Sequence, residues 1–333
     1  MTNNGWLKWP DFWLSLRLLW LIAVGLLAVA CQAPDTDSYK PLYRDTPPKQ
    51  DNIYSFGVHP LHNPRRLFEI YQPLMNYLNT HLTGVTFRLE ASRNYAAYDE
   101  KLLAGHFHFA LPNPYQTVQA AKQGYRIFGK MADDENFYGI ILVRKDSHIQ
   151  TVADLKGKAV SYPAPTALAA TMMPQWYLYQ QGLDINRDIE NRYVGSQESS
   201  IMNVYLGQTA AGATWPPPWK AFSKERPELA NALEVRWRTD PLPNNGLVVR
   251  SDVPTALLEQ VSQLLFQLHK NPEGAAILAA MELSRFEAAN SDTYAPVRQF
   301  LRRFEQELRP PEQLPIAPVD QGSATSVPAA VTP

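Results

Sequence analysis

One stretch of the chain has the residue types and order to hold a charged group. Thr151 to Pro174, TVADLKGKAVSYPAPTALAATMMP, reads as a helical turn with Asp154 and Leu155, a turn at Gly157, a strand from Lys158 to Ser161, a proline-bearing loop, and a helix starting near Thr166. A strand that empties through a loop into a helix N-terminus leaves free backbone N–H groups aimed at one point, with the positive end of the helix dipole behind them. Such a point attracts anions. A second candidate is Trp215-Pro216-Pro217-Pro218-Trp219, which reads as two large rings on a stiff polyproline segment. Rings held this way suit a ligand with apolar, aromatic or cationic parts, although packing in a core accounts for the same tryptophans equally well. His106 with His108, and His59 with His62, have metal-ligand spacing but no acidic partners close in sequence, so no metal is expected. Asp133, Asp134 and Glu135 read as a solvated turn. No G-x-S-x-G, H-E-x-x-H, P-loop or Cys/His nucleophile pair is present, which points to recognition without catalysis or cofactor.

The elements that position these residues need a globular core, and the composition supplies one. The 333 residues are 45% hydrophobic and 19% charged, enough for two domains of ordinary size and tails. A net charge of -1, without Lys/Arg runs between aromatics, argues against nucleic acid as a partner. Cys31 is the single cysteine, so neither an internal disulfide nor a cysteine-based metal cluster is available.

The first residues read as an address. Lys8 and Arg17 precede an apolar run from Leu18 to Ala30, shorter than the roughly 20 residues of a membrane-spanning helix and fitting a signal-peptide core. Leu27, Ala28, Val29, Ala30 and Cys31 resemble a bacterial lipobox, with Cys31 as the lipidated residue; Ala28-Val29-Ala30 equally suits ordinary signal peptidase. Residues 1–31 are thus expected to be a signal peptide and lipid attachment site, and residues 32–51, polar and proline-bearing, a tether.

Beyond the tether, strand and helix patterns alternate: strand 53–58, helix 67–82, strand 85–89, helix 95–104, strand 107–111 and helix 114–123. This alternation predicts parallel pairing with helices on the faces and a ligand beyond the carboxyl ends of the strands. Strands at 125–131 and 137–144 follow, then a second α/β unit built around the Thr151–Pro174 stretch. Helices at 255–270, 272–281 and 295–308 close the pattern. The chain leaves the first unit and returns to it. The expected division is lobe one at 52–144 and 245–308, lobe two at 145–244, and a disordered tail at 309–333.

Three segments carry a family resemblance: FGVHPLHNPRRLFEIYQPLMNYL at 56–78, YGIILVRKDSHIQTVADLKGKAV at 138–160 and NPEGAAILAAMELSRFEAANSDTYAPV at 271–297. Together they resemble the phosphate/phosphite/phosphonate-type substrate-binding proteins of ABC importers. The resemblance implies a type II periplasmic-binding-protein fold: two α/β lobes, each a mostly parallel sheet flanked by helices, closing on one small-molecule ligand for delivery to an ABC permease. A sensing module of the same fold is the alternative, and an enzyme on that fold a more distant one. Carried over residue by residue, the family's ligand positions fall on Tyr95, Asn113 and Tyr115 in lobe one, and on Phe137, with a hydroxyl one residue away at Tyr138. In lobe two they fall on Ala167 and Leu168, with Ala169 and Ala170 following, where the family has Ser-Thr-Ser-Gly. Thr166 is the hydroxyl left beside them. Gln197 stands in place of the family's histidine and Ala210 in place of an aspartate, and Trp215 is the candidate replacement wall. Hydrogen bonds to charged groups are worth about 1.5–3 kcal/mol each, so these losses imply a ligand other than bare phosphonate unless other groups compensate.

Overall fold

The structure, a computed structural model, describes residues 52–309; the expectations for the leader, Cys31, the tether and the tail beyond Arg309 lie outside the described residues. Two mixed sheets flanked by helices make up the described part. The six-stranded sheet has the strand order 286–288, 126–131, 246–249, 109–111, 52–58, 85–90 and the five-stranded sheet 189–193, 158–162, 211–214, 140–144, 233–238.

In the first sheet β1 (Asn52–Val58) pairs in parallel with β2 (Val85–Glu90) and with β3 (Phe109–Leu111). Val58 lies opposite Leu111, so the loops leaving both strands start side by side. Helix α1 (Pro64–His81) begins earlier than its apolar spacing predicts, because Asn63 caps it through Arg66 N–H and Pro64 occupies the first turn, where a missing N–H costs nothing. Helices α2 (Tyr95–Leu103) and α3 (Pro114–Lys122) follow β2 and β3, capped by Asn94 and Asn113. β4 (Arg126–Met131) then pairs antiparallel with β10 (Gly246–Val249) and β11 (Phe286–Ala288).

The second sheet contains β5 (Ile140–Arg144), paired antiparallel with β8 (Ala211–Thr214) and β9 (Leu233–Arg238), and β6 (Lys158–Tyr162), parallel to β7 (Ile189–Tyr193) and β8. This moves the expected lobe boundary. The strand predicted at 137–144 as the end of lobe one pairs with β8 and β9, so the crossing precedes Ile140 instead of following Arg144. Apolarity alone could not assign it: Ile140 to Val143 are all buried, as in any central strand.

The chain crosses between the sheets twice, and the two crossings are hydrogen-bonded to each other. Thr239 N–H donates to the Gly139 carbonyl at 3.0 Å, Leu242 N–H to the Phe137 carbonyl at 3.1 Å, and Gly139 N–H to Thr239 Oγ1 at 2.9 Å. Paired crossings of this kind form a hinge. Helices α4 (Met173–Gln180), α5 (Gln197–Tyr205), α6 (Pro216–Glu225) and the single turn α7 (Pro227–Ala230) belong with the second sheet; α8 (Thr255–Gln267), α9 (Pro272–Ala280) and α10 (Ala295–Glu307) follow β10.

Helix α6 replaces the expected polyproline segment. Trp215 is extended, and Pro216, Pro217 and Pro218 form the first turn of an α-helix, where prolines lack no hydrogen bond that the helix needs. The consequence is that the two rings part. Trp219 stacks on Phe222 at 6.1 Å within the second lobe's own core, while Trp215 packs on Phe137 at 5.5 Å.

Candidate ligand-binding cleft

The surface between the lobes is assembled from four chain entries into helices. On the lobe-one side, α2 presents Tyr95 and, one turn on, Asp99, while the β3–α3 loop presents Asn113 and Tyr115. On the lobe-two side, the β6–α4 loop presents Thr166 to Ala170, and the β7–α5 loop delivers Gln197 to the first turn of α5.

Three side-chain hydrogen bonds join the walls. Gln197 Nε2 donates to Tyr95 Oη at 3.3 Å, Thr166 Oγ1 donates to Asp99 Oδ2 at 2.8 Å, and Asn113 Nδ2 donates to the Thr166 carbonyl at 2.9 Å. Each group is held from behind. Thr214 Oγ1 donates to Gln197 Oε1 at 2.8 Å; Gln116 Nε2 donates to Asp99 Oδ1 at 2.6 Å. Asn113 and Gln116 form a capping box, in which Asn113 Oδ1 accepts from Gln116 N–H and Gln116 Oε1 from Asn113 N–H. The cap leaves the Asn113 amide nitrogen pointing at the other lobe.

Between these bonds the surface is apolar. Tyr95, Tyr115, Phe137, Ala167, Leu168, Ala169, Ala170 and Trp215 are all buried and belong to one contiguous cluster that runs from the first sheet into the second lobe. The predicted helix start near Thr166 is replaced by a π turn over Leu168–Met172 before α4 begins. Thr171 and Met172 N–H both return to the Ala167 carbonyl. Gly139 of the hinge fits this turn closely: a Cβ there would stand 2.4 Å from the Ala169 carbonyl oxygen and 2.8 Å from the Pro174 ring. Only glycine allows the hinge to lie that near the loop.

Burial sets the protonation states. Asp99 is pushed from 3.8 up to about 6 by loss of solvent, against the opposing effect of the bonds from Thr166 and Gln116. His59, beside Tyr95 with ring centroids 6.2 Å apart, is pulled down to about 4 by burial, partly offset by Nδ1–H donation to the Leu111 carbonyl. It is therefore neutral near pH 7. Burial also raises the Tyr95 hydroxyl above its ordinary range, keeping it protonated.

Nine of the ten predicted ligand positions meet at this surface: Tyr95, Asn113, Tyr115, Phe137, Thr166, Ala167, Leu168, Gln197 and Trp215. Tyr138 does not. Adjacent extended residues point to opposite sides, so with Phe137 against Trp215, Tyr138 packs on the core around Ile140 and Phe222 and lies under the Arg238 guanidinium. Sequence reasoning missed Asp99, Gln116 and Thr214, and read His59 only for its metal-ligand spacing with His62. The first could have been found from its spacing, since Tyr95 and Asp99 are i and i+4 on one helix face.

At the mouth of the cleft a cavity of about 270 Å³ lies between Leu61, His62 and Arg66 of lobe one and Gln197, Phe222 and Arg226 of lobe two. Its charges are matched: Arg66 pairs with Glu225 across the lobes and Arg226 with Glu198 at 3.1 Å.

Two α/β lobes, a hinge of two hydrogen-bonded crossings and a cleft lined from both sides define a two-lobed solute-binding protein. The family model for the ABC transporter phosphonate periplasmic substrate-binding protein matches residues 56–294, and the chain belongs to that family. Members are extracytoplasmic binding components of importers. The phosphonates-binding periplasmic protein of Escherichia coli K12 is 19% identical over 259 residues, covering 75% of this chain and 76% of its own length. Among solved structures, a binding protein component of an ABC phosphonate transporter from Pseudomonas aeruginosa aligns with TM-score 0.69 and 20% identity, over 77% of this chain and 87% of that one. PhnD1 of Prochlorococcus marinus, in complex with methylphosphonate, aligns with TM-score 0.70 and 20% identity over 77% and 99%. These likenesses fix the fold. Among the described residues, no helix is long and apolar enough to cross a membrane.

Proposed function

We propose that the chain captures a small solute outside the cytoplasm by closing its lobes on it, and presents the closed form to an ABC permease without catalysing any reaction. The observation that supports this best is the set of bonds across the cleft, Gln197 to Tyr95 and Thr166 to Asp99, which form only when the lobes meet. A ligand that contacts both walls shifts the hinge equilibrium by its extra affinity for the closed form. The ligand-facing residues in this reading are Tyr95, Asn113, Tyr115 and Phe137 on one side and Thr166, Ala167, Leu168, Gln197 and Trp215 on the other. A thermal-shift screen of phosphorus, sulfur, amine and heterocycle compounds tests it, because a ligand at about 100 times its Kd adds about 2.7 kcal/mol to the folded state. A screen in which no compound shifts the transition refutes solute binding.

The leader supports a membrane tether. Cys31 after the apolar run would carry the lipid, and residues 32–51 would separate it from the lobes. Cys31→Ser should then remove a metabolic lipid label and release the chain from membranes; unchanged labelling would sink the assignment.

A further inference from the structure

Helix α10 begins on one lobe and ends on the other. We propose that it is a brace, a third tie between the lobes beside the two hinge crossings, which favours the closed arrangement and so sets how readily the cleft opens. This goes beyond the solute-binding reading and concerns the hinge, whatever the solute is.

The start of the helix belongs to lobe one. Tyr294, fully buried just ahead of it, donates its hydroxyl to the Asn244 carbonyl at 2.7 Å, and the helix packs against α3. Val297, Leu301 and Phe304 are buried in the cluster that holds Phe56, Phe109 and Val249 of the first sheet. The end of the helix reaches lobe two. Phe300 meets the Trp176 ring of α4 edge-on, with centroids 6.1 Å apart, and the Arg303 guanidinium lies 5.1 Å from the same ring. The Leu308 carbonyl, left without an intrahelical partner at the helix end, accepts from Asn186 Nδ2 at 3.3 Å. The Leu308 side chain packs on that cluster and also on the second sheet's own core around Val160 and Leu178. Arg309 Nη2 then donates to Gln175 Oε1 at 2.6 Å and to Tyr193 Oη at 3.3 Å.

The grip falls on a helix that matters to the cleft. Gln175 and Trp176 sit on α4, into which the Thr166–Ala170 loop opens through the π turn, so the element that carries one wall is held by a helix rooted in the opposite lobe. A cavity of about 340 Å³ runs beside the second crossing, between Trp176 of α4, Thr239 and Leu242 of the crossing, and Phe300 and Arg303 of α10. A rotation of one lobe about the crossings displaces α4 and β7 relative to a helix fixed on α3. Contacts such as Phe300 with Trp176 weaken within an ångström or so of added separation, so opening is resisted. One group pulls the other way. Arg309 is half-buried, its Nη1 is out of water without a hydrogen-bond partner, and loss of solvent pulls the guanidinium below its ordinary range. Among the described residues no carboxylate pairs with it. Packing therefore favours the closed arrangement and solvation of Arg309 the open one, which leaves the tie releasable.

Spin labels on the two lobes, at Glu69→Cys on α1 and Glu228→Cys on α7 in the full chain with Cys31→Ser, read the distance across the mouth by double electron–electron resonance; both sites are exposed. No solute enters this measurement, so its outcome is independent of whether the thermal-shift screen finds a ligand. Phe300→Ala with Leu308→Ala, both half-buried, should raise the ratio of open to closed chains by about tenfold or more, equivalent to about 1.4 kcal/mol. Arg303→Ala, at an exposed position, should shift the ratio the same way by a smaller factor, and it decides the matter if circular dichroism shows the double variant unfolded. Arg302→Ala, exposed on the same helix, should leave the ratio unchanged. The same distance distribution in the parent and in the folded double variant overturns the brace. An equal shift in Arg302→Ala overturns it too, because the effect would then come from the helix itself and not from its grip on α4.

Discussion

The two walls of the cleft differ in what they offer a ligand, set against what the family resemblance implies. On lobe one, Tyr95 stands at its expected place, and Asn113 and Tyr115 open α3 with a complete capping box. On lobe two, the loop that should present hydroxyls presents Ala167, Leu168, Ala169 and Ala170, and the histidine position carries Gln197. One wall is built from polar groups tied to one another, the other from apolar side chains on a hydrogen-bonded backbone. A reason lies in what each wall must do besides bind. Asn113 and Gln116 hold a helix start and a carboxylate, so replacing either costs stability. The Ala167–Ala170 loop is held by backbone bonds and by contact with Gly139, so its course does not depend on hydroxyl side chains.

Trp215→Ala should have the largest effect of the changes that break this comparison. The ring is 4% exposed and seated on Phe137, and removing such a side chain typically costs about 3–5 kcal/mol. Chemical denaturation measures the loss. Trp219→Ala, partly exposed on α6, should cost clearly less. Equal losses would mean that Trp215 packs within lobe two alone and that its contact with Phe137 contributes little. Next in size is the change that would make lobe two match lobe one: Ala167→Ser, Leu168→Thr and Ala169→Ser together. Each restored hydrogen bond to an oxyanion is worth about tenfold or more in affinity, so methylphosphonate binding by titration should rise by one to several powers of ten relative to the parent chain, on the order of 1.5–3 kcal/mol per bond. No gain would show that the lobe-two side chains do not decide the ligand.

How far the sequence alone reveals this molecule depends on the kind of information required. The alternation of apolar strands and amphipathic helices is local, and β1, α1, β2, α2 and β3 fall close to where periodicity places them. The assignment of β5 is not local: its four buried residues read the same in either sheet, and only the pairing with β8 and β9 decides. Trp215 to Trp219 failed for a different reason. Three successive prolines favour polyproline in isolation, yet the first turn of a helix accepts them as well, and the β8 strand ahead of them sets a helix start. In the cleft, nine of the ten positions named from the sequence lie on one surface. The hydrogen bonds that link them across the lobes join residues 53 to 102 positions apart, which no spacing rule reaches.

Asp99 provides the finest test of the comparison, because it ties the two walls with a group that titrates. In the folded chain it keeps its proton to about pH 6, against an ordinary value of 3.8, so between those values the folded state binds more protons than the unfolded one. Its contribution to stability is fully present below 3.8 and is lost as pH rises through about 6. His59 and His62 tilt the other way. Burial holds them neutral down to about 4 and about 3, against 6.5 when unfolded, so their contribution is present above 6.5 and is lost as pH falls. Across the acid range the histidines make stability climb with pH and Asp99 flattens the climb. Asp99→Asn removes the flattening. The variant's stability, from urea denaturation at intervals between about pH 4 and pH 7, should therefore rise more steeply than the parent's, with the two curves separating by on the order of 2 kcal/mol over that interval. Parallel curves would mean that water reaches the carboxyl freely, and that the bond between Asp99 and Thr166 does not close the cleft in solution.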